Sequence, residues 1–304
     1  MNIKIHPESY QNIFLMYESG LSQREIAVKL NVSTGCIESI FKKMNFKVRE
    51  FSLYKDEQFF ERIDSEVKSY FLGLIYADGW VDKRGSFGIV LQEEDKYILE
   101  EFRSRIKYEG LLRNVGRKKE HHKDRYRLDI NSVKITKDLN SLGVIPNKSL
   151  ILKFPTNKMV PHKFMKHFLR GYFDGDGCVT FTKYTKKNNE IKKMLLCGIT
   201  GSKDFCDGFC SFIKENLNIN FKNKCDNRSP AHSATTGNRQ ALIFLDYIYS
   251  NCSKNLLLKR KYDKFKYFIN EYRLSNLDHT HGSKIPVELV KKICFDEQYN
   301  LEFF

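Results

Sequence analysis

The sequence predicts an α+β fold in which one helix-β-β-helix-β-β-helix unit occurs twice, behind a small all-helical module. Three observations carry the prediction. The stretch Phe168 to Gly177, FLRGYFDGDG, has a second copy at Tyr70 to Gly79, YFLGLIYADG. Alternating apolar runs and amphipathic segments follow each copy in the same order. A capped helical pattern precedes both.

Residues 1–48 form the predicted helical module. Ile13, Phe14 and Tyr17 mark one face of a first helix, terminated by Gly20. Ser22 caps a second helix, Glu25 completes a capping box, and Ile26, Ala27 and Leu30 supply the apolar face. After the turn Asn31-Val32-Ser33, Ser33 or Thr34 caps a third helix with Ile37, Ile40 and Phe41 inward. The pattern resembles the helix-turn-helix of resolvases and sigma-like regulators. That resemblance implies that Thr34, Gly35 and Glu38 face a major groove and that Lys42, Lys43 and Lys47 reach phosphates. Residues 49–66 are charged and lack a clean period, which predicts a linker with a short helix.

The first repeat is assigned to residues 67–162. Trp80 to Leu91 is a hairpin split at Lys83-Arg84-Gly85. Asp95 to Ile106 is an amphipathic helix, Leu111 to Val115 and Arg125 to Ile130 are strands joined by a basic loop, and Val133 to Leu142 is a helix ending at Gly143. The second repeat, residues 163–272, has strands Val179 to Tyr184 and Met194 to Thr200 around a basic turn. It continues with a helix Lys203 to Leu217, strands near Phe221 to Cys225 and His232 to Thr236, and a helix Arg239 to Tyr249. In the tail, residues 273–304, Ile285-Pro286 begins a short helix. Ile293 to Leu301 faintly echoes Ile13 to Leu21, as the opening of an incomplete second helix-turn-helix would.

The 304 residues suffice for two or three modest domains. Lys and Arg number 52 against 37 acids, a formal net charge of +15, which points to a polyanion, most simply nucleic acid. No window approaches the roughly 18 apolar residues of a membrane span, and the N-terminus lacks a signal-peptide core. The eight cysteines are scattered, as reduced thiols are, and the spacings of Cys197, Cys206, Cys210 and Cys225 match no familiar zinc finger. These features read as an intracellular protein with no membrane partner, expected as a monomer in the cytoplasm of a bacterial or phage-infected host, a eukaryotic organelle being the alternative.

Each repeated stretch is an apolar helix that stops at an acid followed by glycine. Gly73 and Ala77 share one helix face, as do Gly171 and Gly175, and such small-residue faces let two helix backbones approach closely. Gly79 and Gly177 are expected to end the helices in the left-handed conformation. Asp78 and Asp176 then sit at helix C-termini, where the dipole disfavours negative charge. If the helices pack together, the two carboxylates meet and repel unless divalent cations bridge them.

The two stretches resemble the LAGLIDADG motifs of the double-motif, DOD-type homing endonucleases. The sixth motif position, often acidic there, is Tyr76 in the first copy and Asp174 in the second. The resemblance implies two αββαββα halves joined along the motif helices, with Asp78 and Asp176 binding catalytic Mg²⁺, Mn²⁺ being the alternative. It implies a lysine near the metals in each half. Lys148 matches in its GVIPNKS context, and Lys254 follows by pseudo-symmetry, since one shift of 106 (254 − 148) overlays both flanking segments. It implies that Lys83, Arg84, Arg113, Arg117, Arg125, Arg127, Lys183, Lys186, Lys187 and Arg228, on strands or turns, line a long, asymmetric double-stranded DNA target. The acidic helix ends would lie over the minor groove. Family members cut with a short 3′ overhang and leave a 5′-phosphate. A splicing-protein relative is set aside, because splicing needs a Cys or Ser start and a His-Asn end. The expected protein is a free-standing homing endonuclease encoded in an intron or between genes. Two other outcomes stay open on the same scaffold: a non-cleaving DNA-binding regulator, and an RNA maturase acting on intron RNA.

Overall fold

The computed structural model describes residues 5–19, 21–48, 54–117, 123–185, 189, 191–225, 230–275 and 285–299. The chain divides into two compact units, residues 1–53 and 54–304.

In the first unit α1 (Tyr10–Glu18), α2 (Gln23–Lys29) and α3 (Thr34–Lys43) surround one core. Local chemistry sets their starts. The Ser22 hydroxyl accepts from the Glu25 amide at 3.1 Å, and the Glu25 carboxylate accepts from the Ser22 amide at 2.7 Å, which satisfies two otherwise orphaned donors. Ser33, not Thr34, caps α3 by accepting from the Cys36 amide at 3.2 Å. Asn31, at φ 52°, makes the turn between α2 and α3, a conformation that asparagine tolerates. Ile13, Tyr17, Ile26, Ala27, Ile37, Ile40 and Phe41 are all buried.

The second unit opens with a departure from the expected linker. Phe59, Phe60 and Ile63 are core residues, and the two phenylalanine rings pack against Phe102. The Asp56 amide donates to the Ile106 carbonyl at 2.8 Å. Burial of three large apolar side chains outweighs the charged residues between them, so residues 54–64 belong to the repeat.

The helix-β-β-helix-β-β-helix order then occurs twice. The first copy is α4 (Glu66–Asp78), β1 (Gly79–Val81), β2 (Ser86–Gln92), α5 (Lys96–Arg105), β3 (Arg113–Asn114), β4 (Arg125–Asn131) and α6 (Val133–Ser141). The second is α7 (His162–Asp176), β5 (Gly177–Thr185), β6 (Ile191–Gly201), α8 (Lys203–Leu217), β7 (Lys222–Cys225), β8 (His232–Gly237) and α9 (Asn238–Tyr249). Both sheets are antiparallel and share one topology, β1-β2-β4-β3 and β5-β6-β8-β7. Along β2 the inward residues Phe87, Ile89 and Leu91 are buried, and along β4 so are Leu128 and Ile130. The alternate residues form the open face of the sheet. Strand β3 is shorter than expected, since Leu111 is 77% exposed and adds nothing to the core.

The two halves join along α4 and α7. A Cβ on Gly73 would meet the Phe168 carbonyl, and one on Gly171 would meet the Tyr70 carbonyl. These contacts are related by one sequence shift (171 − 73 = 98 and 168 − 70 = 98), the mark of a two-fold relation. Backbone therefore lies against backbone, and no side chain fits between.

Beyond the second repeat two elements complete its core. Helix α10 (Lys259–Ser275) packs on β5, with Phe181 stacked on Phe268 at 5.8 Å. Helix α11 (Val287–Cys294) buries Val290, Ile293 and Cys294 against α9 and α10. Arg239 donates to the Ile285 carbonyl at 2.8 Å, and Tyr299 to Asp246 at 2.6 Å. The described part of the tail thus packs into the second repeat's core, its apolar face spent on α9 and α10. No helix among the described residues is long and apolar enough to cross a membrane.

Candidate active site and nucleic-acid interface

Where α4 and α7 end, they bring Asp78 and Asp176 together. A Cβ on Gly175 would contact Ala77 and stand 2.9 Å from Asp78 Oδ2, so the absence of a side chain there admits the neighbouring carboxylate. Gly79 and Gly177 are not left-handed. Their φ,ψ values of −84°,165° and −90°,159° are extended, because each is already the first residue of a strand. A Cβ would strike the preceding helical turn, at Ile75 and Phe173 respectively. Glycine serves here for space rather than for handedness.

Both acids reach solvent, so what perturbs them is the wall of protein on their other sides, not closure. That burial raises both carboxyls, and the repulsion of Asp176 helps lift Asp78 to about 6, against the pull of Lys261, Lys148 and Arg260. The repulsion is a property of the pair. Two oxygen-rich carboxylates in like-charge proximity suit a hard divalent cation, which is commonly held by one or two carboxylates and completed by water and phosphate oxygens. No third acid, histidine or cysteine joins them in a metal-sized group among the described residues.

Two buried lysines complete the centre. Lys148, in a 3-10 turn after α6, is 7% exposed and donates to the Ala77 carbonyl at 3.1 Å. Lys261, in the first turn of α10, is 5% exposed. Its Nζ lies 2.7 Å from the Phe173 carbonyl, 2.6 Å from that of Asp174, 3.1 Å from that of Gly175 and 2.6 Å from that of Gly177. Ala77 and Gly175 are equivalent positions, so each helix end receives one ammonium. These cations satisfy orphaned C-terminal carbonyls and offset the dipole that opposes the adjacent acid. Burial lowers both ammonium groups, Lys261 to about 8, against the pull of nearby acids. Lys254 is exposed in the turn before α10, and the second cation beside the acids is Lys261. Equal spacing along the chain put the expectation on Lys254. The missed signal is the stripe Lys261, Phe265, Phe268 and Ile269, helically spaced, which places a lysine on a buried face. A cavity of about 240 Å³ adjoins the centre, lined by Tyr76, Lys148, Tyr172, Asp176 and Thr200 among others.

The sixth motif positions differ in use. Tyr76 donates to the Leu142 carbonyl. Asp174 is fully buried and accepts from Tyr70 at 2.9 Å, Tyr249 at 3.0 Å and the Leu258 amide at 2.8 Å, which fixes the chain just ahead of Lys261. Glu66 holds the same segment from the first repeat, accepting from the Ser253 amide and hydroxyl at 3.0 Å each and from Arg170 at 2.6 Å. Burial pushes Glu66 up, but the bonds from His167 and Ser253 and the charge of Arg170 overcome it and hold the carboxyl well below its usual range. Because the folded value lies below the unfolded one, this contribution is complete at neutral pH and fades as pH falls below about 4.5. Glu66→Gln should lower stability at pH 7 and flatten the acid limb of a urea-midpoint-against-pH curve. An unchanged acid limb would remove Glu66 from the account.

The other sequence-predicted residues are distributed over the surface. Arg113, Arg125 and Arg127 lie on the open face of the first sheet, Lys83 and Arg84 are exposed in its hairpin turn, and Arg117 is exposed and 3.5 Å from Asp124. Lys183 is on β5, with its side chain outside the described residues, and Lys186, Lys187 and Arg228 fall outside them altogether. In the first unit Glu38, Lys42 and Lys43 are exposed on α3 and Thr34 is half-buried at its start.

Solved structures similar to this chain include the I-LtrWI LAGLIDADG homing endonuclease bound to target DNA, at a TM-score of 0.48 and 13% identity over 75% of this chain and 96% of that one. They also include the I-SmaMI LAGLIDADG homing endonuclease bound to cleaved DNA, at 0.49 and 13% over 74% and 95%. I-SmaMI bound to an uncleaved DNA target in the presence of calcium ions matches at 0.46 and 14% over 74% and 97%. No protein-family model and no curated protein sequence matches the chain.

Proposed function

We propose that this chain is a site-specific double-strand DNA endonuclease of the LAGLIDADG homing type. The reading is carried by one observation: two like-charged carboxylates, Asp78 and Asp176, held together where paired helices end, each helix end covered by a buried ammonium. Proteins seldom bring such groups together without a use for them. The donor set fits Mg²⁺ or Mn²⁺, which would supply Lewis acidity at a phosphate oxygen and a more acidic bound water. Asp78 and Asp176 hold the cation site. Lys148 and Lys261 set positive charge beside the position a phosphorane-like transition state would occupy, in a wall of protein where it is weakly screened. Two open sheet faces, one per repeat, flank this centre and receive duplex DNA, with basic turns on phosphates. The first unit adds a helix-turn-helix contact through α3. The gene would be of the mobile, intron-borne or free-standing kind.

The deciding experiment is to incubate the full-length protein with candidate host DNA in Mg²⁺ or in Ca²⁺ and map the ends. One dominant Mg²⁺-dependent site with a short 3′ overhang is expected. Stable binding without ends under either ion would replace the enzyme with a DNA-binding regulator.

A further inference from the structure

The open faces of the two sheets differ in chemistry. On the first, Arg127 sits in the middle of a cross-strand row, facing Val90 on one side and Arg113 on the other. The next row is Trp80, Gly88 and Asp129. Gly88 makes room for the indole to lie across the strands, since a Cβ there would stand 3.0 Å from both Trp80 Nε1 and Asp129 Oδ1. The Arg127 guanidinium lies 4.8 Å from the centre of the Trp80 ring, and its Nε donates to Asp129 Oδ1. Arg113 donates to the other oxygen of the same carboxylate. Both Nη groups of Arg127 are without a partner among the described residues, and the side chain is 37% exposed.

We propose that Arg127, clamped by Trp80 and Asp129 and flanked by Arg113, reads a guanine in the half-site that faces the first repeat. The inference rests on the DNA-endonuclease reading and deepens it. A guanidinium whose Nε is engaged presents two parallel Nη donors, and the guanine edge in the major groove offers the matching O6 and N7 acceptors. The clamp removes the rotamer freedom that binding would otherwise have to freeze. A phosphate is the poorer partner, because the Asp129 carboxylate sits between the two arginines and opposes an anion while leaving the directed donors intact. The second sheet provides the comparison. Matching the strand registers, Trp80 corresponds to Cys178, Asp129 to Thr235, Arg127 to Ser233 and Arg113 to Lys224. At these matched positions of the second sheet the clamped fork has no counterpart, so Arg127 sets a guanine preference in the first repeat's half-site.

The test is binding selection by the full-length protein from a randomised duplex pool, followed by sequencing, for the unaltered chain and for Arg127→Gln, Arg127→Lys and Asp129→Asn. The unaltered chain should enrich one sequence with a dominant guanine in the first repeat's half. Arg127→Gln should relax that position by roughly 5- to 150-fold, the range of a bidentate contact, with the other half unchanged. Arg127→Lys should fail to restore it, because lysine keeps the charge and lacks the fork. Asp129→Asn should weaken the preference while Arg127 is still present. An enriched sequence that Arg127→Gln leaves unchanged, or that Arg127→Lys fully restores, overturns the guanine assignment alone. Enrichment of no sequence by the unaltered chain overturns the endonuclease reading and the assignment with it.

Discussion

Asp78→Asn and Asp176→Asn proteins are expected to bind their target normally and to leave it uncut. Each substitution removes one of two carboxylates that the fold brings together, and with it a ligand to the cation that would carry the Lewis acidity. The loss is several kcal/mol of transition-state stabilisation, on the order of a thousandfold or more in cleavage. Stability should move the other way. Burial already raises both carboxyls, and Asp176 raises Asp78 further, so a neutral amide at either position relieves repulsion that the native chain tolerates. The two variants should therefore unfold at higher temperature than the unaltered protein in EDTA. Thermal melts and cleavage time courses on one preparation check both outcomes. Cleavage at native rate by either variant would dismiss the paired carboxylates as the metal site.

The second large effect separates two lysines. Lys261→Met should lose roughly a hundred- to a thousandfold in cleavage, the range for one electrostatic donor at a transition state, while target affinity changes little. Lys254→Met should stay close to native, because Lys254 is exposed and the cations acting on Asp176 are Lys148 and Lys261. Lys261 also covers the carbonyl end of α7, so replacing it costs stability as well, and rates must be compared well below the melting temperature. A strand-resolved assay adds detail: if the two helix ends act on separate strands, the Lys261 variant accumulates nicked product. Equal losses from both substitutions would return the assignment to the symmetric pair.

Those lysines show where a sequence can and cannot be read. The motif helices were legible because their spacing is dictated by backbone approach: only a residue without a side chain fits where Gly73 meets Phe168, and that constraint leaves a mark at fixed intervals. The succession of strands along the chain was legible from alternation and from turn residues such as Gly85, at φ 91°. Lys261 was not, because the carbonyls of Ala77 and Gly175 are equivalent in space but are approached by different routes, from a 3-10 turn in one half and from the first turn of α10 in the other. Counting residues compares chain positions, whereas an Nζ is placed by what its helix packs on. The expected linker failed for a similar reason. Phe59 and Phe60 are too few to show a period, yet they meet Phe102 from a distant part of the chain.

The ion pair between Glu66 and Arg170 bears on which halves can associate. Arg170 is wholly buried and takes its carboxylate from the opposite repeat, where the residue equivalent to Arg170 is Leu72. Two copies of the second half facing each other would bury two guanidiniums with no Glu66 to meet them, an uncompensated burial that costs several kcal/mol for each charge. Two copies of the first half would leave each Glu66 carboxylate without its arginine, at a smaller cost because Glu66 is partly exposed. Mismatched pairing is penalised on both sides, so each half discriminates in favour of its own covalent neighbour. Duplicated modules joined in one polypeptide are prone to exchange partners between molecules, and this asymmetric pair is a built-in guard against that exchange.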